Sequence, residues 1–218
     1  MRPDDLIRAY PVLYHMTEDV NWPSIRRHGL LSTSGLVELF EIRGAQRKAL
    51  IEERRPESVL ISHPRVGQAV VRDNKPMSEA KLARALVGMT ARAWYRLLNG
   101  MSFFWVREER VITLLSARGN RDRAHCVIVV NTARLLADHL PRVRLSPINS
   151  GNTAYLAARR GRSTFRPIGS YDYEQHRAAR GRDAVVELTV IGGIRNVERY
   201  VDRVERWREN RRIAHVWP

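Results

Sequence analysis

Cysteine is nearly absent from this 218-residue chain: Cys126 is the only one. That excludes an intramolecular disulfide and any zinc site built on several cysteines. The seven histidines include no i,i+3 or i,i+4 pair. The one adjacent His–Cys pair, His125-Cys126, would point to opposite faces of a strand, so no metal site is expected. Cys126 heads an apolar run, which predicts a buried, inert thiol. No apolar stretch approaches the ~20 residues of a membrane-spanning helix. The opening Met-Arg-Pro-Asp-Asp-Leu-Ile-Arg lacks the apolar core of a secretory signal, so a cytoplasmic location is expected. There is no Gly-x-Gly-x-x-Gly and no P-loop, and Ser62-His63 is not framed by a Gly-x-Ser-x-Gly elbow. Lysine is scarce as well. Only Lys48, Lys75 and Lys81 of the 38 basic residues are lysines; the rest are arginines.

What is present is a foldable, strongly basic chain. With 44% hydrophobic and 28% charged residues it can bury a core, and its length fits a single domain, 1–218. The net charge is +15. A GC-rich genome accounts for arginine in place of lysine but not for this excess, which favours a polyanionic partner, nucleic acid or an anionic cofactor. The bland reading is a basic protein without one. The charge runs along the whole chain instead of forming a tail, so it belongs to the surface of a folded domain.

Hydrophobic spacing and stop signals predict strands at 12–17, 59–62, 69–71, 102–106, 125–130, 143–148, 164–168 and 184–191. Helices are predicted at 21–28, from a cap at Thr33 or Ser34 to about Arg55, after Ser78, after Thr90, at 108–117, 132–137 and 175–180, and at 197–210. This mixture is α+β, without the regular alternation of a Rossmann sheet.

Four features could carry chemistry. Glu187 is the single acid in Ala184-Val-Val-Glu-Leu-Thr-Val-Ile191; it is either solvent-facing or a carboxylate in a cleft that meets positive charge on a substrate. His15 lies in a strand with Thr17 on the same face; it is either a structural hydrogen-bonder or half of a pair suited to ribose hydroxyls. Phe103-Phe104-Trp105, with Trp94 and Tyr95 upstream, is either core or a stacking wall for a flat ring. Ser146-Pro-Ile-Asn-Ser-Gly-Asn-Thr153 is either a polar turn or a loop of amides and hydroxyls at a cleft.

In order along the chain, these segments resemble the ADP-ribosyltransferase fold, and among its members the DarT-type toxins that ADP-ribosylate DNA. Leu13-Tyr-His-Met-Thr17 with Asn21-Trp-Pro-Ser-Ile-Arg-Arg-His-Gly-Leu-Leu31 is similar to their opening strand, Asn and helix. Ser102-Phe-Phe-Trp105, Val127-Ile-Val-Val-Asn-Thr132, the 146–154 loop and Asp183-Ala-Val-Val-Glu-Leu-Thr-Val190 resemble the later elements. Where the toxins carry Arg-Ser-Pro after the aromatic strand, this chain has Val106-Arg-Glu-Glu-Arg110. The chain also resembles an uncharacterised bacterial family that shares Leu-Leu-Ser-Thr, Trp-Tyr-Arg-Leu-Leu-Asn and Leu-Ser-Pro-Ile-Asn-Ser-Gly.

The resemblance implies a split β-sheet core with flanking helices and NAD as co-substrate. It implies Glu187 and His15 as catalytic residues, with His15 on the adenosine-side ribose and Thr17, Asn21 and Ser32 lining the same site. An aromatic from Trp94, Tyr95, Phe103 or Phe104 would stack on nicotinamide. Arg107, Arg110 or Arg54-Arg55 would hold the pyrophosphate. The expected acceptor is a nucleic acid, with room for an antitoxin or ADP-ribosylhydrolase partner. The alternatives are a non-catalytic nucleic-acid or nucleotide-binding module on the same fold, and transfer to a protein or a small molecule.

Overall fold

The computed structural model describes residues 1–154 and 157–217. Its strands are β1 (Val12–Glu18), β2 (Leu30–Leu31), β3 (Val59–His63), β4 (Gly67–Val71), β5 (Met101–Trp105), β6 (His125–Asn131), β7 (Val143–Ser146), β8 (Glu187–Ile191), β9 (Gly193–Ile194), β10 (Val201–Arg208) and β11 (Arg211–Trp217). The helices are α1 (Pro3–Ala9), α2 (Trp22–His28), α3 (Thr33–Leu39), α4 (Gly44–Glu52), α5 (Glu79–Ala85), α6 (Ala91–Asn99), α7 (Glu108–Ser116), α8 (Thr132–His139) and α9 (Tyr173–Arg180). Seven strands form one antiparallel sheet in the order β11-β10-β6-β1-β5-β8-β7; β2–β9 and β3–β4 pair separately.

The sheet is built around β6. Its β-branched run is buried on both faces, as a continuous apolar segment requires. One face packs Leu13, Phe104, Ile128 and Leu188 against Leu6, Leu135 and Leu136 of α1 and α8. The other packs Tyr14, Met16, Val127 and Val129 against Val111 and Leu115 of α7. Cys126 is buried on the first of these faces, its thiol donating to Asp19 Oδ1 at 3.1 Å, and burial pushes it up to about 12.

Pairing is uneven across the sheet. β1 meets β6 through seven residue pairs but meets β5 at one alone, Tyr14 opposite Trp105. The sheet therefore has two limbs, β11-β10-β6-β1 and β5-β8-β7, joined at a narrow seam.

Five sequence expectations need correction. The long helix ending near Arg55 is two helices, because Glu41 (φ 54°) and Gly44 (φ 59°) take left-handed backbone between α3 and α4. Ser32, not Thr33 or Ser34, caps α3 by accepting from the Gly35 amide at 3.1 Å. The expected strand at 164–168 is a pair of 3₁₀ turns, Arg162–Thr164 and Ile168–Ser170, with one bridge between Leu145 and Arg166. The expected helix at 197–210 is the start of the β10–β11 hairpin. A bulge between Val201 and Arg203 puts Val201 and Val204 on the buried side three residues apart, which imitates helical spacing. Glu209 and Asn210, at φ 51° and 61°, form the two-residue turn. The β8 strand is also shorter than expected, opening at Glu187 itself.

Candidate functional site

A cavity of about 370 Å³ lies beside the β1–β5 seam. It gathers residues from β1, α2, the β2–α3 junction, β4, α6, β5, the 149–152 loop and the first residue of β8. Of the residues singled out in the sequence, His15, Thr17, Asn21, Ser32, Tyr95, Phe103, Phe104 and Glu187 all line it, although 172 positions separate the first from the last.

Glu187 is 4% exposed. The backbone N–H of Ser150 donates to both of its carboxylate oxygens, at 3.1 and 3.2 Å. Behind that loop, the guanidinium of Arg160 donates to the Ser150 carbonyl at 2.9 Å, which ties the loop down. Burial raises the Glu187 carboxyl from 4.5 to about 7, a rise opposed by the Ser150 hydrogen bonds and by the positive charges of Arg160 and Arg110. The solvent-facing reading of this acid is thereby excluded. The polar loop read in the sequence as a turn or a cleft wall is both: a turn that holds the carboxylate.

The imidazole Nδ1 of His15 stands 2.8 Å from the carbonyl oxygen of Phe103. A carbonyl can only accept, so Nδ1 carries the proton and Nε2 is left as an acceptor. Burial lowers the ring to about 4, the hydrogen bond to Phe103 opposing and the nearby Arg72 adding to the effect. His15 is therefore neutral at pH 7.

Thr17 and Asn21 line the cavity, but their polar atoms face each other and the hairpin. Asn21 donates to Thr17 Oγ1 at 2.9 Å and to the Val70 carbonyl at 2.9 Å, and accepts from the Val70 amide at 2.7 Å. Asn21 precedes α2 as the sequence suggested, yet its side chain does not cap that helix. It latches β4 onto the cavity instead. Ser32 spends its oxygen on the α3 cap and keeps its hydroxyl proton.

The aromatic set divides. Phe103 and Phe104 are in the wall, with Phe104 edge-on to His15 at 5.8 Å between ring centroids. The Tyr95 hydroxyl is buried without a partner among the described residues, as is the Ser150 hydroxyl. Trp94 lies outside the wall, stacked on Phe165 at 5.8 Å in a separate cluster.

The four arginines expected to hold an anion are engaged elsewhere. Arg107 donates to the Arg182 carbonyl at 3.0 Å and packs over Tyr10, outside the cavity. Arg110 pairs with Asp183 at 2.9 Å. Arg54 donates to the carbonyls of Met77 and Lys75. Arg55 reaches the cavity wall, but its guanidinium serves the carbonyls of Leu50 and Arg72 and the Asn99 side chain. Arginine residues are too numerous in this sequence for spacing to tell a structural one from a ligand-binding one. The residues that sequence reasoning missed are Arg72 and Asn120, the latter reached only through the side chains it touches.

Residues 11–201 match a family of unknown function, DUF7002. The chain belongs to that family. The DUF7002 span runs from the residue before β1 to the first residue of β10, so it contains every cavity residue named above. Neither the curated proteins nor the solved structures include a match to the chain. No group of three or more His, Cys, Asp or Glu that could hold a metal ion occurs among the described residues. No described helix is long and apolar enough to cross a membrane.

Proposed function

We propose that this DUF7002 protein is an NAD-dependent ADP-ribosyltransferase that releases nicotinamide and transfers ADP-ribose to a nucleic acid. One observation carries the reading: a buried, loop-anchored carboxylate, Glu187, shares a single cavity with a neutral, oriented histidine, His15. The sheet limbs that part at the β1–β5 seam support a split-sheet core of the ADP-ribosyltransferase kind.

The cavity suits NAD in its donor set. Its volume falls within the ~300–1,000 Å³ of small-molecule sites. The unpartnered hydroxyls of Tyr95 and Ser150, the Ser32 hydroxyl and Nε2 of His15 supply donors and an acceptor for ribose and carboxamide groups, and Phe103 supplies a ring face. When bound, NAD supplies a nicotinamide–ribose bond whose breaking develops positive charge on the ribose.

The chain's own contribution is electrostatic. The Glu187 carboxylate, fixed by two hydrogen bonds from one amide, opposes that charge without having to reorganise. Its elevated pKa makes it costly to ionise in the empty cavity, so its charge is worth most when a positive partner forms beside it. Neutral His15 accepts a hydroxyl proton through Nε2 and orients the sugar. The +15 charge attracts a polyanionic acceptor.

The test is single-turnover nicotinamide release by wild type and Glu187→Gln, with thermal melts alongside. The amide keeps an oxygen to accept from Ser150 and loses the charge, so release should fall about 10²-fold or more. Wild-type release from a folded Glu187→Gln protein overturns the assignment. No release from the wild type, with or without nucleic acid, favours a non-catalytic binding module. Labelled NAD offered to lysate, then divided by nuclease or protease digestion, separates nucleic acid from protein as acceptor.

A further inference from the structure

Arg72 follows β4 directly and lines the same cavity. Its guanidinium uses one of the five N–H donors that arginine carries, from Nη2 to the side-chain oxygen of Asn120 at 3.0 Å. Asn120 is held in turn, its amide nitrogen donating to the Leu114 carbonyl at 2.7 Å, which fixes which atom faces Arg72. No other acceptor meets that guanidinium, and no carboxylate pairs with it, among the described residues. Asp73 and Glu18 attract it from a distance, but Glu18 is bonded to Arg123 at 3.0 Å.

The contrast with the other enclosed arginines is chemical. Arg55 gives its donors to three oxygens, and Arg160 gives its own to the carbonyls of Ser150 and Ala158. Those two cations are solvated by the protein and serve as struts. Arg72 is half-buried, aimed by a two-step relay, and left with unused donors at a cavity wall. A partly desolvated guanidinium with free donors and no paired carboxylate is ready to take a counter-ion.

We infer that Arg72 is the anion-binding residue of the cavity and takes the phosphoryl oxygens of its nucleotide ligand. The guanidinium fork matches two phosphate oxygens at once, and Nε2 of the neighbouring His15 provides an acceptor of the kind that a sugar hydroxyl needs. Asn21 contributes at one remove by latching Val70, two residues before Arg72, and so fixes where the guanidinium stands. This inference rests on the nucleotide reading of the cavity given above.

The experiment is titration calorimetry on the full chain with NAD, ADP-ribose and nicotinamide riboside, the last lacking the pyrophosphate. Arg72→Met keeps the aliphatic stem and removes the charge. It should weaken NAD and ADP-ribose at least tenfold and leave nicotinamide riboside unchanged, with Arg72→Lys in between. Removing an unpaired charge should also leave the ligand-free melting temperature no lower than wild type. If Arg72→Met does lower it, Arg72→Lys carries the same comparison of phosphate-bearing with phosphate-free ligand. NAD bound within twofold of wild type by both variants overturns the role of Arg72 and leaves the transferase reading standing. A wild type that binds no NAD but binds ATP or inorganic pyrophosphate through Arg72 overturns the transferase reading and keeps the anion site. A wild type that binds none of these probes overturns both.

Discussion

His15 donates from Nδ1 to the backbone carbonyl of Phe103 at 2.8 Å, across the seam where β1 and β5 keep a single residue pair. A side chain there replaces a rung of the ladder, and the ring is locked in one tautomer. Because burial holds it near 4, the ring has no charge to lose between pH 5.5 and 8. Two outcomes follow. His15→Ala should remove NAD-dependent thermal stabilisation, which for wild type at 100 times the dissociation constant is about 2.7 kcal/mol. Nicotinamide release, measured against pH, should inflect near 7, where Glu187 ionises, and His15→Gln should keep that inflection because the imidazole contributes none. An inflection there that disappears in His15→Gln would show a titrating imidazole and refute the neutral assignment.

Glu187 makes the opposite demand on pH. Its carboxyl is raised from 4.5 to about 7 in the folded protein, so the native state binds a proton that the unfolded state has already released. Stability from this group is fully present below pH 4.5 and is lost as pH rises through about 7. The shift corresponds to about 3 kcal/mol at 1.36 kcal/mol for each pH unit. Glu187→Gln cannot ionise and escapes this loss. Urea denaturation should find the variant close to wild type at pH 5 and more stable by a few kcal/mol at pH 8. A stability difference that does not change with pH would mean that Glu187 titrates at its ordinary value.

Much of this architecture was legible in the sequence wherever one physical signal acted alone. The continuous β-branched run of β6 reads directly as a buried central strand, and Gly29, Thr90 and Gly100 punctuate helices where expected. The candidate site was legible because its acid interrupts an apolar strand. Misreadings arose where two signals competed. In β10 a bulge converts a period of two into an apparent period of three, so that Val201 and Val204 imitate a helix face. Between α3 and α4 the apolar pattern continues through Phe40 and Ile42 while the backbone turns, because both side chains reach the small core under the β3–β4 hairpin. Arg107 was a plausible ligand only by its nearness in sequence to the aromatic strand; tertiary contact with the Arg182 carbonyl takes it elsewhere.

The basic surface predicts salt-sensitive binding to nucleic acid. The excess charge of +15 is distributed over a folded chain, so association should release counterions. Each neutralised phosphate should contribute about 0.7–0.9 to the slope of log affinity against log salt concentration. Fluorescence anisotropy with labelled single- and double-stranded oligonucleotides between 50 and 300 mM salt measures it. A slope near zero would remove nucleic acid as the acceptor and leave a protein or small molecule, with the chemistry at Glu187 unaffected.

Asn21 gives the sharpest separation between a residue that touches the ligand and one that positions the wall. Its carboxamide makes the two hydrogen bonds that a neighbouring strand would have made to Val70, and a third to Thr17. Asn21→Ala leaves the Val70 amide and carbonyl without these partners at a half-buried edge, which should cost about 1–3 kcal/mol. Asn21→Asp can still accept from the Val70 amide, but it opposes the Val70 carbonyl with a second acceptor. It should rescue little. Hydrogen exchange at the Val70 amide is the discriminating measurement. Both variants should lose protection there while β6 amides such as Val129 keep theirs, and NAD affinity should fall because Arg72 is no longer held in place. Wild-type protection at Val70 together with weakened NAD binding would instead make Asn21 a direct ligand contact. Unchanged protection and unchanged affinity would leave the latch with no function.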